Sequence, residues 1–232
     1  MSDPCQSAAA FRSIVVIDGP AGAGKSTVAK GLAKRLGVAF MDTGAMYRAL
    51  TVKAIRRRVK LDDEAALVAL AGETRIELVN QPGNPLKVLL DGEDVSETIR
   101  SVEVTNTTFY VARAAGVRHI MVAWQRLMGQ QQALVGEGRD LGTVVFPQAE
   151  FKFYLDADFG VRCQRRIDEL RAKGQDVDEE ALKKDLAERD EKDITRKVGP
   201  LKKADDAVLI DSTRMGVDEV IGTIARNIQN KK

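Results

Sequence analysis

Eight consecutive residues near the N-terminus have the composition and spacing of a phosphate-binding loop. They read GPAGAGKS from Gly19 to Ser26 and fit the pattern G-x-x-x-x-G-K-[ST]. Glycines allow backbone torsions that turn successive N–H groups inward, and a helix that follows adds its positive N-terminal end. We expect Lys25 to reach the β- and γ-phosphates of a nucleoside triphosphate and the Ser26 hydroxyl to ligate Mg²⁺.

The elements on either side of this loop are of the types that it requires. Ser13–Ile17 (SIVVI) is an apolar run of strand length, and Lys25–Leu36 has helical periodicity. The motif alone does not say what is done with the nucleotide, although the N-K-x-D motif of a GTPase is missing from the sequence. The acid that would face Mg²⁺ stays open, because three predicted strands are each followed by an aspartate. These are Asp18, Asp156 and Asp211.

Two further segments place arginines where a second phosphate group can bind. Asp42–Arg48 (DTGAMYR) follows the second predicted strand and enters a helix, with Arg48 one turn inside it. Gly138–Pro147 (GRDLGTVVFP) puts Arg139 beside Asp140 in a glycine-flanked turn, which offers a phosphate clamp and an acid for a hydroxyl, a base edge or metal-bound water. Ligands of doubly wound sheets bind beyond the carboxyl ends of the strands, so we expect both segments beside the phosphate loop.

A highly charged stretch with few aromatic residues has the features of a mobile lid. Residues 157–197 contain 11 basic and 12 acidic residues, and helical spacing brings several of them onto shared faces. They are Arg162, Arg165, Arg166, Arg189, Asp193 and Arg196. Phosphoryl transfer requires positive charge over the phosphate oxygens and exclusion of water. We therefore predict a helical lid that closes over bound ligand.

Short apolar runs alternate along the chain with longer stretches of helical period, which is typical of βαβ units around a parallel sheet. The predicted strands are Ser13–Ile17, Val38–Met41, Ala133–Val135, Phe151–Leu155 and Ala207–Ile210. The predicted helices are Lys25–Leu36, Ala45–Val59, Val117–Gln131, Phe159–Lys173, Glu179–Lys192 and Val217–Ile228. Strand-like Arg75–Asn80 and Leu86–Asp91 flank the turn QPGNP and predict an antiparallel hairpin inserted into this α/β core.

Composition excludes several classes of protein. The 36 Lys and Arg residues nearly balance the 34 Asp and Glu residues, which disfavours a basic nucleic-acid binder. The charge is uneven, however, because residues 1–60 hold eleven of the basic residues and only three of the acidic ones. The longest wholly apolar run, Ala65–Ala71, is far shorter than the roughly 18 residues of a membrane span. The start lacks the pattern of a signal peptide. We expect a soluble, cytoplasmic protein that binds neither nucleic acid nor membrane, with a disordered tail at residues 1–12.

Six segments, in order along the chain, resemble the bacterial cytidylate kinase family of nucleoside monophosphate kinases. They are IDGPAGAGKST (Ile17–Thr27), MDTGAMYRA (Met41–Ala49), LDGEDVSETIR (Leu90–Arg100), EGRDLGTVVFP (Glu137–Pro147), AERDEKD (Ala187–Asp193) and LIDST (Leu209–Thr213). The resemblance covers nearly everything from Ser13 to the C-terminus. The GRDLGTVVFP and DTGAMYR segments together are specific to the family, whereas the phosphate loop is shared more widely.

The resemblance implies a single P-loop NTPase-type kinase domain over residues 13–232. Its fold would be a doubly wound α/β sheet of five parallel strands, with a small antiparallel hairpin subdomain for the nucleoside monophosphate inserted at 73–112 and a helical lid at 157–197. Its activity would be Mg²⁺-dependent transfer of the ATP γ-phosphoryl group to CMP or dCMP, by a protein that we expect to be a monomer. Two alternatives stay open: a kinase for another monophosphate such as UMP, and a non-catalytic nucleotide-binding module.

The resemblance also implies roles for individual residues. For ATP they are Gly19, Pro20, Ala21, Gly22, Ala23, Gly24, Lys25, Ser26 and Thr27, with Arg165 from the lid. For CMP they are Thr43, Arg48, Phe109, Arg118, Arg139, Asp140, Arg189, Asp193 and Arg196. The catalytic residues among them would be Lys25, Arg139, Asp140 and Arg189, and the metal ligand would be Ser26.

Two positions depart from the family's pattern. Phe109 stands where the family usually has a serine, at a position associated with the cytosine edge. Lys192 replaces a frequent arginine of the lid, which keeps the charge but loses the planar fork of a guanidinium. How the base is recognised is therefore open: the Phe109 ring either stacks on it or tilts away from it.

Overall fold

A computed structural model describes residues 11–81, 84–172 and 174–231 of the chain. The strands in these ranges are β1 Ile14–Asp18, β2 Ala39–Asp42, β3 Ile76–Val79, β4 Lys87–Leu90, β5 Glu93–Asp94, β6 Leu134–Gly138, β7 Phe151–Asp156 and β8 Val208–Asp211. Five of them form one parallel sheet in the order β2-β6-β1-β7-β8. The predicted five-stranded parallel sheet is confirmed, and β1, which leads into the phosphate loop, lies at its centre.

Helices cover both faces of this sheet. They are α1 Lys25–Leu36, α2 Thr43–Arg56, α3 Glu64–Gly72, α4 Val102–Arg113, α5 Ala115–Gln131, α6 Phe159–Ala172, α7 Glu179–Thr195 and α8 Val217–Asn230. Alternate residues of β1 point into different layers of core. Val15 and Ile17 pack into one buried cluster and Val16 into another, and all three are fully buried. An apolar strand covered on both faces explains why SIVVI shows no polar alternation.

The inserted hairpin is confirmed and carries a third strand. β3 and β4 pair antiparallel, with Ile76 opposite Leu90, and the two-residue β5 pairs with β4. Two helices near the hairpin were not predicted. The sequence of α3 is wholly apolar from Ala65 to Ala71 and therefore lacks a helical period, while α4 is rich in β-branched residues.

The predicted lid consists of α6 and α7, which pack against each other. Asp178 caps α7 by accepting a hydrogen bond from Ala181 N–H at 3.0 Å. Of the predicted tail, residues 1–10 lie outside the described residues, and the ring of Phe11 lies 6.0 Å from that of Phe151. The centre of the predicted QPGNP turn, residues 82 and 83, and the predicted helix end at residue 173 also lie outside them. No helix within the described ranges is long and apolar enough to cross a membrane.

Candidate active site

The phosphate loop leaves the carboxyl end of β1 through glycines that are required by close packing or by a positive φ angle. A Cβ on Gly19 would lie 2.0 Å from the carbonyl oxygen of Leu155, so only glycine fits between β1 and β7. Gly22 and Gly24 have φ angles of 76° and 88°, in the left-handed region that side chains disfavour. Gly24 directly precedes α1, so the loop wraps around the N-terminus of that helix as the sequence predicts.

Lys25 lies inside this loop. Its Nζ donates a hydrogen bond to the Pro20 carbonyl at 2.6 Å, and only 5% of the residue is exposed. Burial, followed by the positive charge of Arg139, lowers the pKa of Lys25 to about 7. Negative charge added beside Lys25 would raise this pKa and favour the protonated, ammonium form.

Ser26 contacts an acid that the sequence analysis missed. Its Oγ donates a hydrogen bond to Glu137 Oε1 at 2.5 Å, and the carbonyl of Glu137 accepts another from Thr43 Oγ1 at 2.7 Å. Burial, followed by the charge of Asp42, raises the pKa of the Glu137 carboxyl. The available signal was a carboxylate just before Gly138 in a strand that the prediction ended at Val135.

Each of the three aspartates considered from sequence accepts hydrogen bonds from backbone N–H groups. Asp18 accepts hydrogen bonds from the N–H groups of Leu141 and Gly142 at 2.9 and 2.7 Å, and so fixes the turn after β6. Burial raises the pKa of Asp18 to about 6. Asp156 accepts from the N–H of Ala157, and Asp211 from that of Thr213.

Charged residues from three distant segments of the chain form one cluster of ion pairs. Arg139 Nε donates to Asp193 Oδ2 at 2.7 Å, joining the turn after β6 to the lid. Arg196 lies between two carboxylates, 3.5 Å from Asp140 and 3.7 Å from Asp193. Arg118 of α5 forms a buried ion pair with Asp140. We name these five residues the acceptor cluster, because their alternating charges line the expected place of the second substrate.

Residues of α2 complete one side of the cluster. Arg48 pairs with Asp42 at 3.1 Å, and Asp42 also caps α2 by accepting from the N–H of Ala45 at 2.7 Å. Tyr47 was not predicted as a site residue. The Arg118 guanidinium lies 5.5 Å from the centre of its ring, and its buried hydroxyl has no hydrogen-bond partner among the described residues. Burial raises the pKa of Tyr47 to about 12.

The arginines of α6, which their spacing places near one helical face, have different partners. Arg162 is buried and pairs with Asp190 of α7, whereas Arg166 pairs with Glu169 on its own helix. Arg165 donates to the hydroxyl and the carbonyl of Ser212 at 3.0 and 2.7 Å. It therefore lies beside a cavity of about 560 Å³ at the carboxyl end of β8. The cavity is lined by Asp158, Asp211, Thr213, Arg214 and Met215.

Two predicted residues lie where the lid faces the rest of the site. Desolvation, followed by the charge of Arg139, lowers the pKa of Arg189 to about 10. The Phe109 ring on α4 is contacted from the lid by Lys192, whose Nζ is 5.6 Å from the ring centre, and from its own helix by Arg113 at 5.4 Å. The two departures from the family's pattern, Phe109 and Lys192, thus contact each other.

Comparison with known proteins gives a consistent result. A family model described as cytidylate kinase matches residues 15–230. A cytidylate kinase of Desulforamulus reducens is 50% identical over 218 residues, which are 94% of this chain and 97% of that protein. One from a Geobacillus species is 48% identical, covering 94% of this chain and 96% of that protein. Among solved structures, an uncharacterised protein from Eubacterium ventriosum, 13% identical, shares the fold with a TM-score of 0.52, covering 95% of this chain and 99% of that one.

Proposed function

Because the chain belongs to the cytidylate kinase family, we infer that it transfers the γ-phosphoryl group of ATP to CMP. The observation that carries this inference is the ion pair between Arg139 and Asp193. It brings the lid and the turn after β6 together close enough to Lys25 for their charges to affect its pKa. A phosphate loop next to arginines from a lid is the arrangement that transfer between two phosphate groups requires.

We propose that Gly19–Thr27 bind the phosphates of ATP, with Lys25 at the β- and γ-phosphates. Arg165 would lie at the adenosine end, since it is hydrogen-bonded to Ser212, the residue between Asp211 and Thr213 of the cavity lining. The Ser26 hydroxyl and the Glu137 carboxylate offer the oxygen donors that Mg²⁺ prefers, and Mg²⁺ commonly combines one or two carboxylates with substrate phosphates. These two residues would hold the ion, which when bound offsets the charge of the ATP phosphates.

The acceptor cluster would bind CMP. Arg48, Arg139 and Arg196 would contact its phosphate, because guanidinium groups match phosphate oxygens in two-point contacts. The remaining predicted residues would contact the base, the sugar or the transferring group. They are Thr43, Phe109, Arg118, Asp140, Arg189 and Asp193, with Tyr47 as an addition.

The reaction needs no general base, since an oxygen of the CMP phosphate is already ionised near neutral pH. The chain's own residues then act by alignment and by charge. Lys25 would stay in contact with the transferring phosphoryl group, while Arg139 and Arg189 would place positive charge over its oxygens. Closure of α6 and α7 would exclude water, which otherwise competes as the acceptor.

A coupled assay with ATP and each of CMP, dCMP, UMP and AMP tests the proposal. We expect CMP and dCMP to be phosphorylated fastest, in a reaction that requires Mg²⁺. We also expect the protein to be a cytoplasmic monomer whose only partners are small nucleotides. Faster phosphorylation of UMP or AMP would refute the cytidine assignment. ATP binding without transfer to any monophosphate would instead favour a nucleotide-binding module.

A further inference from the structure

Two buried side chains of the lid bind one residue of the phosphate loop. Asp190 of α7 accepts a hydrogen bond from Ala21 N–H at 3.2 Å, and Arg162 of α6 donates to the Ala21 carbonyl at 2.9 Å. The two side chains also pair with each other, with 2.5 Å between Arg162 Nη1 and Asp190 Oδ2. Each residue is only 8% exposed. The backbone of Ala21 is thus bonded to the lid through both its amide and its carbonyl.

Packing fixes the same point of the loop. The Ala21 side chain forms a small buried cluster with Cys163 of α6 and Leu186 of α7. At Gly22, an added Cβ would lie 3.0 Å from the carbonyl oxygen of Arg162 and 3.1 Å from its Cβ. The loop therefore fits closely against α6, and hydrogen bonds, charge and apolar contact all join it to the lid at one place.

The same helix also reaches the acceptor cluster. Asp193 follows Asp190 by three residues, which puts both carboxylates on one face of α7. Asp193 pairs with Arg139, whereas Asp190 binds the phosphate loop. One helix face therefore connects the loop for the donor phosphates with the arginines proposed for the acceptor.

We propose that Arg162 and Asp190 are positioning residues, which hold the phosphate loop in register with the acceptor cluster for in-line transfer. The proposal rests on the function proposed above and assigns to this pair a role without contact to either nucleotide. Loss of the pair lowers turnover, because misplacement of reacting groups by about 1 Å costs about a hundredfold in rate. The KM values change little, since the residues that contact each substrate are retained.

Comparison of single and double variants separates positioning from simple stability. Removing one partner leaves the other charge buried and unpaired, which destabilises the fold. In Arg162→Met/Asp190→Asn neither charge remains. We expect this double variant to recover most of the thermal stability that each single variant loses. Its kcat with CMP should still be at least about tenfold below wild type, with both KM values within about threefold.

Arg162→Lys is a second test that keeps both charges. Arg162 also donates from Nε to the Ala157 carbonyl at 3.1 Å, and a single ammonium group cannot make all of these contacts. We expect this variant to fold and to lose kcat in the same way. Arg171→Met is the matched control, because Arg171 and Glu179 form an exposed ion pair between the same two helices at 2.8 Å.

Any one of three results would overturn the proposal. These are wild-type kcat in the double variant, wild-type kcat in folded Arg162→Lys, and an equal loss of kcat in Arg171→Met. Wild-type protein is assayed first. Its failure to phosphorylate CMP would count against the proposed function rather than against the positioning role.

Discussion

The Ser26 hydroxyl donates a hydrogen bond to the Glu137 carboxylate, with 2.5 Å between the two oxygens. The bond joins the phosphate loop to the end of the neighbouring strand β6, across 111 positions of the sequence. Glu137, rather than one of the aspartates that end β1, β7 and β8, is thus the acid hydrogen-bonded to the proposed metal ligand. The buried carboxylate and the hydroxyl form one oxygen pair, from which the first prediction follows.

Glu137→Gln should weaken the response to Mg²⁺. The substitution keeps the size of the side chain but removes the charge that would face the ion. We expect the Mg²⁺ concentration needed for half-maximal CMP phosphorylation to rise at least about tenfold. A Mg²⁺ titration at fixed ATP measures this concentration. Glu150→Gln is the control, since Glu150 is exposed and accepts a hydrogen bond from Ser13. An unchanged Mg²⁺ requirement in Glu137→Gln would exclude Glu137 as a ligand.

Lys25→Ala should lower kcat by roughly a hundredfold or more while the fold survives, because a positive group at the transferring phosphate is lost. Stopped-time assays with saturating ATP and CMP give kcat, and thermal unfolding shows whether the fold is kept. Lys30→Ala on the same helix is the matched control, since Lys30 lies over the Phe40 ring instead. Near-normal turnover of Lys25→Ala would remove Lys25 from the mechanism.

ATP binding should be coupled to proton uptake by Lys25. The pKa of Lys25 is about 7 in the free protein, so at pH 8 the amine is mostly neutral. Phosphate charge favours the ammonium form and raises this pKa, so binding takes up about one proton and affinity falls as pH rises above 7. Calorimetry at pH 8 in two buffers of different ionisation enthalpy counts the protons. Lys25→Met should lack this uptake, and equal uptake in both proteins would contradict the prediction.

Phe109→Ala should raise the KM for CMP about fivefold or more and leave the KM for ATP unchanged, if the ring stacks on the base. Phe109→Ser differs from Phe109→Ala only by a hydroxyl group. Its ratio of CMP to UMP activity, set beside that of the alanine variant, shows whether the hydroxyl contacts the base. Tyr110→Ala is the control, because Tyr110 is the exposed neighbour of Phe109 on α4. A KM for CMP that is unchanged in Phe109→Ala would show that the ring tilts away.

The regular parts of the fold could be predicted because their sequence patterns are local. The buried strands are continuous apolar runs, and a proline- and glycine-rich sequence separates the two predicted strands of the hairpin. α3 could not be identified in this way, since Ala65–Ala71 is apolar on every face and has no period to detect.

Most residues of the candidate site could be named from the sequence, except Glu137 and Tyr47, but their pairing could not. Helical spacing shows that Arg162 and Arg165 share a face, but their partners come from elsewhere in the chain. Asp190 is 28 positions from Arg162, and Ser212 is 47 from Arg165. Such contacts depend on how α6 and α7 pack against the loop and against the end of β8, which periodicity does not encode.

The Asp18 carboxylate, which holds the two N–H groups after Asp140, has a consequence for how this enzyme can diverge. The phosphate loop leaves the end of β1, and Asp18 at that end also holds the turn that carries Arg139 after β6, so the proposed distance between donor and acceptor phosphates would be set inside the sheet. Phe109, which is proposed to contact the base, and Lys192 beside it lie outside the sheet on α4 and α7. Substitutions at these two positions on α4 and α7 would therefore change substrate preference without changing the geometry of phosphoryl transfer.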